Sequence, residues 1–227
     1  MGILEGLLEL ASPTRCAGCD APGALLCARC ARALPRIEPA SACPRCDAPD
    51  AARHCAECAG SRFRFASARC AGVLEHPLSR LVVLYKDGGE RRLGPLLGAL
   101  VAEAVAEEAS WPDAVAGIPA SRAALLRRGF DHGRDLASAV ARRIDLPLVE
   151  PLVCAPHGDQ RRLGREGRAA NVAGGLALRS GVAVPARILL VDDVLTTGAT
   201  LDAAAAALLA AGAVQVRAAT VARACES

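Results

Sequence analysis

Aromatic side chains are scarce in this chain: three Phe, one Trp and one Tyr among 227 residues. Nucleic-acid binders that stack successive bases need several rings, so a surface of that kind is disfavoured. Lysine is almost missing too. Lys86 stands alone, and the other 26 of the 27 basic residues are arginine. Beside so much alanine this reads as compositional bias, and arginine counts carry correspondingly little weight. No apolar run reaches the ~20 residues that span a bilayer; the longest, 203–214, is mostly alanine and ends at Gln215. The stretch 2–10 carries Glu5 and Glu9 within its apolar residues, which a signal-peptide core does not tolerate. These absences point to a soluble protein of the reducing cytoplasm with no membrane insertion. A hydrophobic content of 52% is ample for a real core.

Cysteine, by contrast, is abundant and unevenly spread. Eight of the 11 cysteines form four Cys-x-x-Cys pairs before residue 60: Cys16/Cys19, Cys27/Cys30, Cys43/Cys46 and Cys55/Cys58. Each such turn aims two thiolates at one point, and two turns complete the tetrahedral sulfur site that zinc prefers. Four pairs imply two structural zinc ions. Seven residues separate the first two pairs and eight the last two, against twelve between the halves. The lower closure entropy of the shorter gaps favours sequential pairing over a cross-braced one, which is the alternative. His54 reads as an exposed turn residue. Cys70, Cys154 and Cys225 read as buried small hydrophobes.

Zinc ribbons invite a DNA-binding reading, so the charge matters. Residues 1–70 hold nine arginines and seven carboxylates; eight thiolates and two zinc ions turn that excess into about −2. That is no basic footprint. The module reads as structural or as a protein-interaction surface, although Arg53, Arg62, Arg64 and Arg69 could form a local stripe.

From residue 69 the pattern changes to strands alternating with helices. Strand character at 68–74, 113–118, 146–148, 187–191 and 214–221 alternates with helical spacing at 76–85, 93–109, 122–128, 134–143 and 199–211. Such alternation implies a parallel sheet covered on both faces, with ligands beyond the carboxyl ends of its strands. The run 157–171 is polar and aperiodic and reads as a long loop. The boundary is expected near residue 66, with a double zinc ribbon over 1–66 and an α/β domain over 67–227.

One segment carries specific chemistry. Residues 188–191 are four apolar residues of a buried strand; Asp192 and Asp193 follow at its tip, and Thr196, Thr197, Gly198, Ala199 and Thr200 lead into a helix. Backbone amides and hydroxyls of such a turn cradle a phosphate, and adjacent carboxylates suit ribose hydroxyls or a magnesium shell. This order resembles the phosphoribosyl pyrophosphate (PRPP) signature of type I phosphoribosyltransferases, in which the acidic pair contacts ribose hydroxyls and the turn holds the 5′-phosphate. Pro119, Ala120, Ser121 and Arg122, then Arg127-Arg128-Gly129-Phe130, then Gln160, Leu163, Arg168, Asn171 and Val172 resemble the ComF family. Leu81 to Gly88, with Tyr85-Lys86, is similar to that family's linker region.

The resemblance implies a double zinc ribbon joined to a type I phosphoribosyltransferase-like domain, associated with DNA uptake in natural competence. It places residues 119–122 in the loop that meets pyrophosphate. It also sets Arg127, Arg128, Arg161, Arg162, Arg165 and Arg168 near an anionic ligand, where guanidinium groups bind phosphate oxygens bidentately. The family commonly follows Arg-Gly-Phe with Asn-Gln, whereas this chain has Asp131-His132. Both His132 and His157 read as solvated or helix-surface residues, and no general base presents itself.

Three functions compete. A pentosyl-transferring enzyme would bind Mg-PRPP at 192–200 and displace pyrophosphate with an unidentified acceptor. A binding module would hold PRPP, a nucleotide or single-stranded DNA in the same pocket while the ribbons dock a competence helicase or channel protein. A structural adaptor would keep the cradle without using it.

Overall fold

The computed structural model describes residues 14–53, 55–154 and 175–225. Its organising element is the strand that begins Arg187-Ile188-Leu189-Leu190-Val191. Ile188 and Leu190 face one hydrophobic cluster while Leu189 and Val191 face the other. A strand apolar on both faces belongs inside a sheet with helices on each side. The described elements follow in chain order: α1 (Ala28–Arg32), β1 (Ala68–Cys70), α2 (Leu78–Lys86), α3 (Leu93–Ala104), a 3-10 turn (Ala106–Glu108), β2 (Ala114–Gly117), α4 (Arg122–Arg128), α5 (His132–Arg143), β3 (Leu148–Val149), β4 (Leu152–Cys154), β5 (Leu176–Leu178), β6 (Arg187–Leu195), α6 (Ala199–Ala210) and β7 (Gln215–Arg223).

Five strands form one sheet in the order β1-β7-β6-β2-β3, every pair parallel. Helices α2, α3 and α5 cover one face through Leu81, Tyr85, Leu97, Leu136 and Val140. Helix α6 covers the other through Leu201, Ala204 and Leu208, together with Phe65 and the antiparallel pair β4–β5. That pair has no counterpart in the sequence reading: its two three-residue strands are too short to carry a period. Strand β6 is also longer than expected. It continues to Leu195, so Asp192 and Asp193 lie within the strand, paired with β7 through Asp192↔Thr220 and Val194↔Ala222.

The cysteine-rich segment supports the sheet rather than standing apart from it. Ala68 N–H donates to Arg45 O at 2.9 Å, and Cys70 N–H donates to a carboxylate oxygen of Asp47 at 2.7 Å. These bonds from edge strand β1 go to the turn around Cys46, so that stretch of the edge is covered. On the opposite face, Ala17 and Leu34 join the cluster under α2 and α3. Among the described residues no helix is long and apolar enough to cross a membrane.

Candidate functional site

Parallel β2 and β6 are neighbours, with Gly117 opposite Val191 and Ile118 N–H donating to Val191 O at 3.0 Å. The loops that leave them, residues 119–122 and 196–200, therefore emerge side by side at the carboxyl edge of the sheet, where ligands bind in open α/β folds. In the second loop Gly198 adopts φ +79°, in the left-handed region, and serves as the N-cap of α6 without any side-chain cap. The first-turn amides of a helix have no intrahelical acceptor, and this end is suited to an anion. Thr196, Thr197, Ala199 and Thr200 are exposed around it, and Thr197 Oγ1 accepts from Ala199 N–H at 3.4 Å.

The loop 119–122 is held from both sides. Ser121 caps α4 by accepting from Ala124 N–H at 3.2 Å, and Cys154 Sγ lies 3.2 Å from Pro119 O. Asp131 caps α5 by accepting from Arg134 N–H, and its carboxylate also accepts from Ala120 N–H at 3.3 Å. The start of α5 sits hard against β2. A Cβ on Gly133 would lie 1.9 Å from Ile118 O, a contact no side chain tolerates. Only glycine lets this helix approach, and the approach carries His132 over the acidic pair.

Asp192 and Asp193 are buried, and Asp192 Oδ1 accepts from Asp193 N–H at 2.8 Å. Burial, then the neighbouring Asp193, pushes the Asp192 carboxyl up to about 7, although Lys86 opposes the rise. Asp193 Oδ2 accepts no well-aligned hydrogen bond; its close neighbours are the Lys86 ammonium, Nζ at 2.6 Å, and the His132 ring, Nε2 at 3.6 Å. Tyr85 positions this group by donating its hydroxyl to His132 O at 2.8 Å. Arg128 places Nη1 3.1 Å from His132 Nδ1 and bridges to Asp87 at 2.9 Å. Burial, and secondarily Arg128 and Lys86, lower the His132 pKa from its ordinary value. His132 is therefore buried and neutral beside the carboxylates rather than solvated. His132, Asp192 and Asp193 each offer an atom within 4.8 Å of the others.

Two of these neighbours escaped the sequence reading. Lys86 was visible as the sole lysine and within the Tyr85-Lys86 pair, but nothing local tells that α2 returns to the acidic strand. His132 carried a signal in its position one residue before Gly133. Arg122 and Arg127 are exposed on α4, and Arg128 is turned inward. Gln160, Arg161, Arg162, Arg165, Arg168 and Asn171, like His54 and His157, lie outside the described residues. Of the four ribbon arginines proposed as a stripe, Arg64 is paired with Asp202, and Arg69 lies 2.9 Å from Glu108 and 3.7 Å from Asp47.

The eight paired cysteines gather sequentially, Cys16, Cys19, Cys27 and Cys30 in one cluster and Cys43, Cys46, Cys55 and Cys58 in the other, each with its sulfurs within 4.8 Å of one another. A tetrahedron of sulfurs around zinc at ~2.3 Å has edges of about 3.8 Å. The observed separations are 3.7 Å for Cys19–Cys27, 3.8 Å for Cys43–Cys58 and 3.6 Å for Cys46–Cys55. The donor set and the spacing both fit zinc. Burial raises the Cys16 thiol, but the amides of Cys27, Cys19 and Gly18 prevail and bring it down to about 6, poised for a thiolate. Of the other cysteines, Cys70 is buried and its thiol is pushed up to about 12 by burial and by Asp47, whereas Cys154 and Cys225 are only half-buried.

Comparison with known proteins adds two findings. Residues 131–227 match the family model of the phosphoribosyl transferase domain. The chain is 29% identical over 160 residues to Competence protein F of Haemophilus influenzae (strain ATCC 51907 / DSM 11121 / KW20 / Rd), across 66% of this chain and 70% of that protein.

Proposed function

We propose that this chain, a homologue of Competence protein F with a phosphoribosyl transferase domain, binds PRPP as its magnesium complex between the loops 119–122 and 196–200. The single observation that carries this reading is the pairing of an α6 N-terminus capped by a residue without a side chain, Gly198, with the buried carboxylates Asp192 and Asp193 at one sheet edge. In this reading the 5′-phosphate lies on the amides and hydroxyls of Thr196 to Thr200. Asp192 and Asp193 receive the ribose hydroxyls, and Ser121 and Arg122 face the pyrophosphate.

The carboxylate oxygens suit magnesium, a hard cation that prefers oxygen ligands. When bound, that ion neutralises charge on a departing pyrophosphate. The chain's own residues orient and desolvate. Lys86 keeps a cation beside Asp193, Arg128 holds His132 in place, and Asp131 fixes the 119–122 loop by its bond to Ala120. Transfer of a pentosyl group to an acceptor is the reaction such positioning serves, since it depends on alignment and on stabilising the leaving group.

We assign 1–66 to the double zinc ribbon and 67–227 to the phosphoribosyltransferase unit. We place the protein in the cytoplasm, acting in DNA uptake or nucleotide metabolism. Titration calorimetry with PRPP and magnesium tests the reading, and pyrophosphate release across a panel of bases and amines separates enzyme from binding module. Saturable binding that Asp193→Asn abolishes is expected. Binding unaffected by Asp193→Asn overturns it.

A further inference from the structure

Arg223, the last residue of β7, is a buried cation at only 2% exposure. Its Nη1 donates to Leu195 O at 3.1 Å, to Thr196 O at 2.9 Å and to Ala224 O. The first two carbonyls are the end of β6 and the first residue of the 196–200 loop. Its Nη2 donates to Glu57 Oε2 at 3.1 Å. Glu57 lies inside the Cys55–Cys58 knuckle of the second cysteine cluster. A guanidinium this deeply buried needs a counter-charge, and the knuckle supplies it.

Two further contacts run the same way. Phe63 packs on the loop's left-handed glycine: a Cβ at Gly198 would lie 2.9 Å from Phe63 Cε1. Phe63 is fixed in turn by stacking on Phe65 at 4.5 Å and by Arg45, whose guanidinium lies 5.3 Å from its ring centre. Arg45 belongs to the other knuckle of the same cluster, Cys43–Cys46. Next along the chain, Arg64 donates its N–H and Nη1 to the carboxylate of Asp202, in the first turn of α6, at 2.5 and 3.0 Å. The first cluster instead packs toward α2, where a Cβ on Gly18 would meet Pro77 at 3.1 Å.

We propose that the second cysteine cluster is a positioning element for the phosphate loop, acting through Glu57–Arg223 and through Arg45–Phe63. With metal on Cys43, Cys46, Cys55 and Cys58, both knuckles are rigid, and residues 195–202 are held in the anion-binding conformation. Ligand affinity at the loop is thereby coupled to metal loading of a site on a different segment. The inference rests on the assignment of 196–200 as a phosphate site, and its test has one readout that does not.

The experiment uses full-length Glu57→Gln and Arg223→Lys beside the unaltered protein, with zinc content, amide hydrogen exchange without ligand, and Mg-PRPP affinity measured on each. Glu57→Gln is expected to retain two zinc ions per chain. Exchange at 196–202 rises and Mg-PRPP affinity falls, each by roughly tenfold, while exchange in β2 stays unchanged. Arg223→Lys, which keeps the charge but loses the multiple carbonyl bonds, gives the same pattern. Unchanged exchange at 196–202 in Glu57→Gln overturns the proposal, and so does loss of zinc from that variant, which would make Glu57 a support of the metal rather than of the loop. If the unaltered protein binds no Mg-PRPP, the functional assignment fails, and the exchange result alone then decides the coupling.

Discussion

Replacing Asp192 by Asn should stabilise the ligand-free protein, and only above mildly acidic pH. The Asn side chain keeps an oxygen for Asp193 N–H, so the hydrogen bond at 2.8 Å survives while the buried charge is removed. In the native protein the carboxyl titrates at about 7, against 3.8 unperturbed. A raised folded value means that the stability contributed by this group is complete below the unfolded pKa and is lost as pH rises through the folded one. At 1.36 kcal/mol per pH unit, the full loss is on the order of 4 kcal/mol by pH 8. Between pH 5.5 and 7 the variant should gain about 2 kcal/mol on the unaltered protein. For a chain of this size that is a rise of about 4–8 °C in the Tm difference. Paired thermal melts at pH 5.5, 6.2, 7 and 8 read it, since pH effects on groups remote from Asp192 cancel in the difference. Above pH 7 the gap should level off. A gap that does not change between pH 5.5 and 7 would refute the reasoning, because it would mean that Lys86 already holds Asp192 ionised across that range. The same variant should lose Mg-PRPP binding, so stability and function part company at this residue.

Lys86→Met removes the cation that favours ionisation of the acidic pair, so the pH midpoint for Mg-PRPP binding, expected near the Asp192 value of about 7, should move upward. A midpoint that stays put, read by calorimetry from pH 6 to 9, would exclude the ion pair from ligand binding. Gly133→Ala forces a Cβ to 1.9 Å from Ile118 O and should destabilise by roughly 3 kcal/mol or more in urea denaturation. Gly129→Ala, with nothing within 4 Å but a φ of +75°, should cost about 1 kcal/mol from backbone strain alone. Metal analysis of protein purified without chelator should return two zinc ions per chain, with stripping of the metal unfolding the segment around both clusters; a value near zero would remove the assignment.

The sheet was legible because its strands carry chemistry in sequence order. Residues 188–191 are apolar on both faces and can only be an inner strand, and the glycine and threonines after Asp193 mark a loop into a helix. The sequential cysteine grouping followed from gap lengths. What stayed hidden was relational. Asp192 and Asp193 look like residues past a strand tip, but pairing with β7 extends β6 to Leu195, and pairing partners are set by topology. Lys86 reaches Asp193 from more than a hundred residues away. Phe63 and Arg223 sit in ordinary local patterns, and their roles exist only once the cysteine-rich segment is folded against the sheet. The boundary near residue 66 is also a boundary of sequence texture more than of contact, since β1 bonds directly to the turn around Cys46.

His132 occupies the position where a general base would be sought, and its surroundings argue against that role. A base needs a free lone pair aimed at the substrate. Arg128 can only donate, and its Nη1 lies 3.1 Å from Nδ1 and 3.5 Å from Nε2, so we assign the nearer nitrogen, Nδ1, as the acceptor. The proton then sits on Nε2, which faces Asp193 at 3.6 Å. In this tautomer the imidazole turns its N–H toward the acidic pair at a distance too long for a hydrogen bond, and the lowered pKa keeps it neutral while Lys86 supplies the charge. A side-chain amide can perform the same task, turning its NH₂ toward the acidic pair and accepting from Arg128 through its oxygen. His132→Gln should therefore retain Mg-PRPP affinity, and any pyrophosphate release, within about threefold, with no change in the pH profile. Disappearance of an acid limb from that profile, or a loss of turnover by about a hundredfold at unchanged affinity, would show that the ring does exchange a proton with substrate and that the tautomer assignment is wrong.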